Sequence, residues 1–166
     1  RFVTSYPTDI TDNLIETAVK LDKVCEYFHI PMQSGSTEVL KKMNRRYDVA
    51  TYTKICNHIR DKVKDVTITS DFIAGFPGET EADFNDTLNL VKEVGFDAAF
   101  TFIYSKRSGT PAAAMEEQVP LEIKKARLNL LMEAQNISSL QRNEAMVGKT
   151  LEVLAEGPSN NNNKVW

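Results

Sequence analysis

Two short segments of the sequence carry residue types that could bind a small ligand. The first is the polar turn at residues 33–36, and the second is the glycine-containing segment at residues 75–80. The amide of Gln33 and the hydroxyl of Ser34 could hydrogen-bond to a ribose or an amino-acid group. Alternatively, the turn only caps the following helix, a task that suits the hydroxyl of Ser36. Both interpretations stay open, and Gln33 is the stronger candidate because a helix cap does not need it.

Gly75 and Gly78 frame the second segment. Glycines at these positions would let the backbone approach a flat ligand such as adenine, or would expose N–H groups to it. The alternative is a tight turn between a strand and a helix, which needs glycine for its dihedral angles. The segment is not a phosphate-binding loop, because the Lys-Ser/Thr pair of that motif is absent. Asp71 precedes it within an apolar strand, where a carboxylate is costly to bury, so it either faces the inside of a barrel or pairs with a nearby base.

Basic residues cluster in two places that could contact an anionic substrate. The chain has a formal net charge of −3, which gives no overall electrostatic case for binding nucleic acid. Binding to RNA would therefore require a local basic patch or other parts of the protein. The candidates are Arg45, within a cluster that also holds Lys41, Lys42 and Arg46, and the loop residues Lys106 and Arg107. Such clusters are also commonly solvated helix faces.

Cysteine and histidine give no sign of a metal or nucleophilic site. The two cysteines, Cys25 and Cys56, lack the spacing of metal ligands, so we expect buried, reduced thiols. His29 and His58 belong to no triad or ligand cluster, and we interpret both as structural. We therefore assign no catalytic residue and no metal ligand within the 166 residues.

The elements that must position these residues alternate between short apolar strands and amphipathic helices. Strands are predicted at residues 2–6, 27–31, 66–74 and 98–104. Strands that alternate with helices of this length are typical of a parallel sheet joined by crossovers. Because ligands bind at the carboxyl ends of such strands, the candidate loops converge at one edge. These four strands are too few to close a barrel, so an open sheet or a partial barrel is predicted.

Helix boundaries are indicated by capping residues. Thr11, Ser36 and Thr80 are predicted N-caps, because each is a hydroxyl residue directly before an apolar pattern of helical period. Gly95 is predicted to end the helix that Thr80 starts. These boundaries leave short loops after each strand, where the candidate residues lie.

A long helix and a short β segment are predicted to complete the chain. The helix runs from residue 120 to about residue 148, with apolar residues at helical spacing. Those residues are Ile123, Leu130, Ala134 and Ile137. A β-like run from Thr150, followed by an asparagine tract, indicates the first hairpin of a second, small β domain.

Composition is that of an ordinary globular protein, with 42% hydrophobic and 26% charged residues. No apolar run approaches the roughly 20 residues that span a membrane, and no signal peptide is visible, so we expect a cytoplasmic protein. The chain lacks an initiator methionine and opens within a predicted strand, which predicts a part of a longer protein. Open strand edges in such a part invite pairing, so we also predict an edge-to-edge homodimer.

Several stretches resemble successive segments of one enzyme family. They are RFVTSYP, HIPMQSGS, VLKKMNRRY, TSDFIAGFPGETEADF and FTFIYSKRSGTPAA, in family order and at family spacing over nearly the whole chain. The family is the methylthiotransferase branch of the radical S-adenosylmethionine (SAM) enzymes, and the similarity is greatest to members that modify isopentenyl-adenosine in tRNA. Methylthiotransferases that act on a ribosomal protein or on threonylcarbamoyl-adenosine are the alternatives.

The resemblance implies an α/β fold, namely the second half of a TIM-like (βα) radical SAM barrel with about four parallel strands. Residues 1–147 would belong to the barrel, and residues 148–166 would start a truncated β domain of the TRAM type, which binds RNA. Family members use SAM and two 4Fe-4S clusters. One cluster is bound by a CxxxCxxC loop that this sequence lacks.

The resemblance also implies a function for the full-length protein. That function is transfer of a methylthio group to C2 of isopentenyl-adenosine near the tRNA anticodon. Without cluster ligands, the isolated fragment is expected to be inactive. A nucleotide-binding module without catalysis is the alternative from a different class. The implied partner is tRNA, and no membrane is expected to take part.

Carried over position by position, the resemblance implies a SAM site at the ends of three strands. The matching positions are Gln33 and Ser34 at the ribose-contacting end of one strand, Asp71, Ile73 and Gly75 in the motif along the adenine, and Tyr104 and Ser105 on the last strand. Glu79 lies one place beyond the superfamily spacing and is assigned no contact.

Overall fold

The computed structural model describes residue 2, residues 5–152 and residues 157–158. A short 3-10 turn at Pro7–Asp9 comes first. The elements that follow are α1 (Asp12–Lys20), β1 (Tyr27–His29), α2 (Thr37–Lys42), α3 (Val49–Lys62), β2 (Thr67–Ala74), α4 (Glu81–Val94), β3 (Ala98–Ile103), α5 (Pro111–Ala114) and α6 (Leu121–Glu144). Among the described residues, no helix is both long and apolar enough to cross a membrane.

The three strands form one parallel sheet with β2 in the centre. The register places His29 of β1 opposite Thr69 of β2, and Asp71 of β2 opposite Phe100 of β3. Residues paired in this way point to the same face of the sheet. The predicted parallel α/β architecture is therefore confirmed.

The two faces of the sheet are buried to different extents. Phe28, Ile68 and Phe72 point towards the helices and are fully buried within the hydrophobic core. On the opposite face, Phe100 and Phe102 are 58% and 52% exposed. Because side chains alternate along a strand, one face of the sheet builds the core and the other stays accessible.

The predicted helix starts are confirmed. The hydroxyls of Thr11, Ser36 and Thr80 each accept a hydrogen bond from a backbone N–H in the first turn of α1, α2 and α4. Asp83 completes a capping box with Thr80. Gly95 ends α4 in the left-handed conformation, with a φ of 59°.

The helix α6 is long, as predicted, but its apolar spacing does not coincide with its buried face. Among the four apolar residues at helical spacing, Ala134 is buried, whereas Ile123, Leu130 and Ile137 are exposed. The buried face carries Lys124, Leu131, Ala134, Gln135 and Ser138. Polar groups can face inwards here because they hydrogen-bond to buried backbone: Gln135 Nε2 donates to the backbone oxygen of Phe96, between α4 and β3, at 3.0 Å.

Some predictions lie outside the described residues. Of the strand predicted at residues 2–6, residues 3 and 4 are not described, and residues 2, 5 and 6 lie outside the strands of the described sheet. The N–H of Ser5 nevertheless donates to the backbone oxygen of His29 at 3.0 Å. Most of the predicted β segment falls within residues 153–156 and 159–166, so it and the domain boundary at residue 148 stay predictions. Edge-to-edge pairing also stays a prediction, with β1 and β3 as the outer strands of the described sheet.

The two cysteines differ in exposure. Cys56 lies in the core on the inner face of α3, and burial raises the pKa of its thiol to about 12. Cys25 is exposed. The expectation that both thiols are buried was therefore wrong for Cys25, because this residue lies in the loop between α1 and β1 and not on a packed helix face.

We predict that only one thiol reacts in the folded chain. At pH 8, N-ethylmaleimide should label Cys25 and spare Cys56, because the thiolate is the reactive form and Cys56 is both buried and protonated. Mass spectrometry of the intact chain would count the labels, with a denatured sample expected to carry two. The Cys25→Ser variant is the control, and labelling of that folded variant would contradict the burial of Cys56.

Candidate functional site

A cleft of about 770 Å³ opens at the carboxyl ends of the strands. Gln33 reaches it from the loop after β1, Asp71 and Ile73 from β2, and Phe102 from β3. This is the edge at which parallel α/β folds bind ligands, and the volume is typical of small-molecule sites.

Most of the predicted site residues line this cleft. Those that do are Gln33, Arg45, Asp71, Ile73, Tyr104, Ser105 and Arg107. Ser34, Gly75 and Lys106 are not part of its lining. The convergence follows from the parallel sheet, which brings the ends of three separate strands to one edge.

Ser34 faces the protein interior. It is 1% exposed, and its hydroxyl accepts a hydrogen bond from the N–H of Ser36 at 3.2 Å. The Ser34 hydroxyl also lies 3.5 Å from that of Thr87 on α4. Ser34 thus shapes the turn that precedes α2, whereas Lys106 is exposed on the loop after β3.

Gln33 has an unusual backbone conformation. Its φ is 73°, in the left-handed region that residues other than glycine rarely adopt. Two hydrogen bonds with β2 hold it there: its N–H donates to Asp71 O at 2.8 Å, and its oxygen accepts from Ile73 N–H at 2.9 Å. Such strain persists only where the surroundings enforce it, and it is frequent at binding sites. The backbone is thus fixed at the position from which the Gln33 side chain lines the cleft.

The turn after β2 uses its glycines for its own geometry. Gly75 and Gly78 have φ values of 75° and 73°. Their N–H groups donate to Glu79 Oε1 at 3.0 Å and to Glu117 O at 2.7 Å, so neither N–H is presented to a ligand. A Cβ on Gly75 would lie 2.3 Å from Cγ of Lys124. The hydrogen bonds of these two glycines are therefore those of a tight turn between a strand and a helix, and not those of N–H groups exposed to a ligand.

The sequence left two roles open for the Asp71 carboxylate, namely facing the inside of a barrel or pairing with a nearby base. Its position in the structure is compatible with both. Asp71 lines the cleft, and its Oδ2 lies 3.3 Å from Nε2 of His29. Nδ1 of His29 lies 2.9 Å from the hydroxyl of Thr69, which in turn donates to the hydroxyl of Tyr27 at 2.9 Å. This chain of polar groups fixes the orientation of the Asp71 carboxylate on the open face of the sheet.

Two polar groups in the cleft wall are buried without a hydrogen-bond partner among the described residues. They are Nε of Arg45 and the hydroxyl of Tyr104. Buried polar atoms are nearly always bonded in native proteins. Their position makes them candidates for contact with a bound polar or anionic ligand.

Aromatic lining residues were missed by the sequence analysis. Phe76 and Phe102 line the cleft, and Phe76 meets the ring of Tyr104 edge to face at a centroid distance of 5.2 Å. The alternation of Phe100 and Phe102 indicates one face of a strand. From the sequence, that face could equally be core or cleft, because both are apolar.

Comparison with known proteins identifies relatives over the whole chain. The sequence profile of the Radical SAM superfamily matches residues 2–91. The chain is 50% identical over 166 residues to the tRNA-2-methylthio-N(6)-dimethylallyladenosine synthase of Acetivibrio thermocellus, and 53% identical over 161 residues to that of Clostridium botulinum. These alignments cover 100% and 97% of the chain but only 35% and 36% of the two relatives, so the chain spans about a third of their length.

A solved structure shares the fold. The coproporphyrinogen III oxidase (HemN) of Escherichia coli, described as a radical SAM enzyme, superposes with a TM-score of 0.62. The match covers 87% of the chain and 31% of that protein at 20% identity. At this identity the likeness shows the fold alone, a partial barrel-like sheet flanked by helices.

We predict that Gly35→Ala destabilises the turn that carries Gln33. An added Cβ would overlap the backbone Cα of Thr87, so the turn at residues 33–36 and α4 would have to move apart. Overpacking against backbone should lower the free energy of unfolding by about 2–3 kcal/mol, measured by urea denaturation. Gly109→Ala is the control: its Cβ meets no atom within 4 Å, and only its φ of 80° opposes the change. Gly109→Ala is expected to lower the free energy of unfolding by about 1 kcal/mol. Equal losses in the two variants would contradict the predicted clash with Thr87.

We also predict that Tyr104→Phe leaves the stability of the free protein unchanged. The hydroxyl of Tyr104 has no partner to lose. Tyr52→Phe is the matched comparison, because the buried hydroxyl of Tyr52 donates to Ile30 O at 2.8 Å and its loss should cost about 1–2 kcal/mol. Thermal unfolding of both variants measures the difference, and a comparable loss in Tyr104→Phe would mean that its hydroxyl is bonded in the free protein.

Proposed function

The chain belongs to the radical SAM superfamily, and from this premise we propose that its cleft receives the adenosine part of SAM within a tRNA methylthiotransferase. The observation that carries the proposal is identity of 50–53% across the chain to synthases named for 2-methylthio-N(6)-dimethylallyladenosine in tRNA. The proposed reaction adds a methylthio group to C2 of an adenosine that bears an isopentenyl (dimethylallyl) group. The proposed substrate is the anticodon region of tRNA, which would place the protein in the cytoplasm.

The residues of the cleft suit the adenosine part of SAM. Ile73, Phe76 and Phe102 give an apolar wall for a flat base, and Gln33 and Asp71 supply polar groups suited to ribose or amine contacts. The unpartnered hydroxyl of Tyr104 could hydrogen-bond to the ligand, and Ser105 would lie near it. When bound, SAM would supply the methyl group and the means of activating the substrate carbon, while these side chains bind and orient it.

Iron–sulfur clusters do not fit this part of the protein. The sequence has two cysteines, one exposed and one buried in the core. Among the described residues, no group of three or more His, Cys, Asp or Glu could hold a metal ion. Cluster ligands would have to come from regions of the relatives beyond the matched third. We therefore expect the 166 residues by themselves not to cleave SAM.

A basic rim supports a nucleic-acid substrate. Arg45 and Arg107 line the cleft, and Lys106 and Arg46 are exposed close by in sequence. With a net charge of −3, the chain as a whole would not attract phosphate groups, so within it this local patch is the candidate. The TRAM-type β domain proposed to begin at residue 148 would add a second RNA contact.

The test uses a protein of the relatives' length that contains this chain, reconstituted anaerobically with iron and sulfide. It receives SAM and isopentenylated tRNA, and mass spectrometry of the nucleosides reports the product. A methylthio derivative of the modified adenosine is expected. SAM cleavage without modified tRNA would favour a ribosomal-protein substrate. In a parallel reaction with tRNA that carries threonylcarbamoyl-adenosine, a methylthio derivative of that nucleoside would favour the threonylcarbamoyl-adenosine branch. SAM binding without cleavage would favour a simple nucleotide-binding module.

We predict that Arg45→Ala together with Arg107→Ala weakens tRNA binding without abolishing SAM binding. Affinity for nucleic acid falls as salt rises, and each lost phosphate contact should make the slope of log affinity against log salt shallower by about one. Filter binding at several salt concentrations measures the slope. Lys125→Ala is the control, because Lys125 is an exposed residue of α6 that pairs with Glu122. An unchanged slope in the double variant would remove these arginines from the RNA surface.

A further inference from the structure

Arg127 of α6 holds the turn at residues 75–79. Its Nη1 donates to the backbone oxygen of Glu79 at 3.0 Å and to the carboxylate Oε1 of Glu79 at 2.7 Å. The same Oε1 accepts from the N–H of Gly75 at 3.0 Å. The Glu79 side chain therefore closes the turn, and Arg127 fastens the closed turn to α6.

Lys124 fastens the same helix to the end of β3. Its Nζ donates to the backbone oxygen of Tyr104 at 3.1 Å and lies 4.9 Å from the centroid of the Tyr104 ring. Its aliphatic stem fills the space beside Gly75 where another residue would place a Cβ. One turn of α6 thus connects the segment after β2 with the residue after β3.

These contacts exist although burial of their charges is unfavourable. The side chains of Glu79 and Arg127 are 2% and 11% exposed. Burial raises the pKa of Glu79 above its ordinary value, and the Gly75 N–H and the Arg127 charge offset this only in part. Burial, together with the charge of Lys106, lowers the pKa of Lys124. Apolar residues of similar volume often stabilise a fold as well as a buried ion pair does, so stability alone does not explain these charges.

Both fastened segments carry a wall of the cleft. Phe76 in the turn and Tyr104 after β3 line it, with their rings in contact edge to face. Ile73 lines the same cleft. A displacement of either segment would change the shape of the apolar wall against which a flat base would lie.

We propose that Arg127 and Lys124 are positioning residues for the SAM site, which fix the separation of Phe76 and Tyr104 and thereby set the affinity for the adenosine group. The inference rests on the proposed function, since it concerns how the same cleft binds SAM. Neither residue lines the cleft. They act through the turn after β2 and through the end of β3.

The same helix offers a matched control. Nε of Arg142 donates to Asp97 Oδ1 at 2.8 Å, and its Nη2 donates to Val66 O at 3.2 Å. Val66 and Asp97 directly precede β2 and β3, so this ion pair fastens α6 to the amino ends of the strands. Its removal should affect stability without reaching the cleft at the carboxyl ends.

The test measures SAM binding by equilibrium dialysis in the reconstituted protein of the relatives' length. Arg127→Met combined with Glu79→Gln removes both charges, so that neither is left buried without its partner. We expect the dissociation constant for SAM to rise about tenfold, because the charge-assisted bonds to Glu79 are lost. Arg142→Ala should change the dissociation constant by less than about threefold while lowering the melting temperature. Arg127→Lys should recover only part of the affinity, because an ammonium group keeps the charge beside Glu79 but not the planar geometry of the guanidinium.

The outcomes separate this inference from the function on which it rests. Equal dissociation constants for the double variant and for Arg142→Ala would overturn the positioning role. A wild-type protein that does not bind SAM would overturn the proposed function and the inference with it. If the double variant unfolds, Lys124→Met makes the comparison, because it loses the bond to Tyr104 O and keeps the Glu79–Arg127 pair. Unchanged SAM affinity in that variant would also overturn the inference.

Discussion

The parallel pairing of β2 on both of its edges is the constraint on which the rest of the structure depends. β1 and β3 are each hydrogen-bonded to β2, and the chain beyond β1 continues that ladder through the backbone of Gln33. Parallel ladders fix the register of three strands that are distant in sequence. Because the chain segments that carry Gln33, Phe76 and Tyr104 to the cleft directly follow these strands, the relative positions of these residues are set by this pairing.

The two faces of this sheet also have different roles. Phe28, Ile68 and Phe72 build the core against the helices. The other face carries the polar group of His29, Thr69 and Asp71 among exposed aromatic side chains. A carboxylate there can remain near water and still be oriented by its imidazole neighbour, which burial in the core would not allow. The open face thus gives a ligand site both apolar surface and directed polar groups.

Charged side chains of the helix α6 help to fix the positions of the strand ends in this fold. The helix contacts β3 and α4 mainly through polar or small side chains, and its cations reach backbone oxygens at both ends of the sheet. Such contacts supply a hydrogen-bond donor to the backbone oxygens of Tyr104 and Val66 at the strand ends. They are directional, so they hold two strand ends at a defined distance from one helix, whereas an apolar contact could slide. Of the larger apolar residues of α6, Leu131 is buried, whereas Ile123, Leu130, Met132, Ile137 and Leu140 are exposed.

The local pattern of the sequence determined three of the four predicted strands, the helix caps and the order in which strands and helices alternate. Thr11, Ser36 and Thr80 cap helices because the cap depends on a side chain and a backbone group a few residues apart. Long matching stretches in family order also determined the superfamily. Only the tertiary structure decided which face of α6 is buried, that Ser34 faces the interior, and that the glycine N–H groups are already bonded. These outcomes depend on contacts made by Lys124, Thr87, Glu79 and Glu117. The distances of these contacts are set by packing between elements, so no periodic pattern in the sequence predicts them.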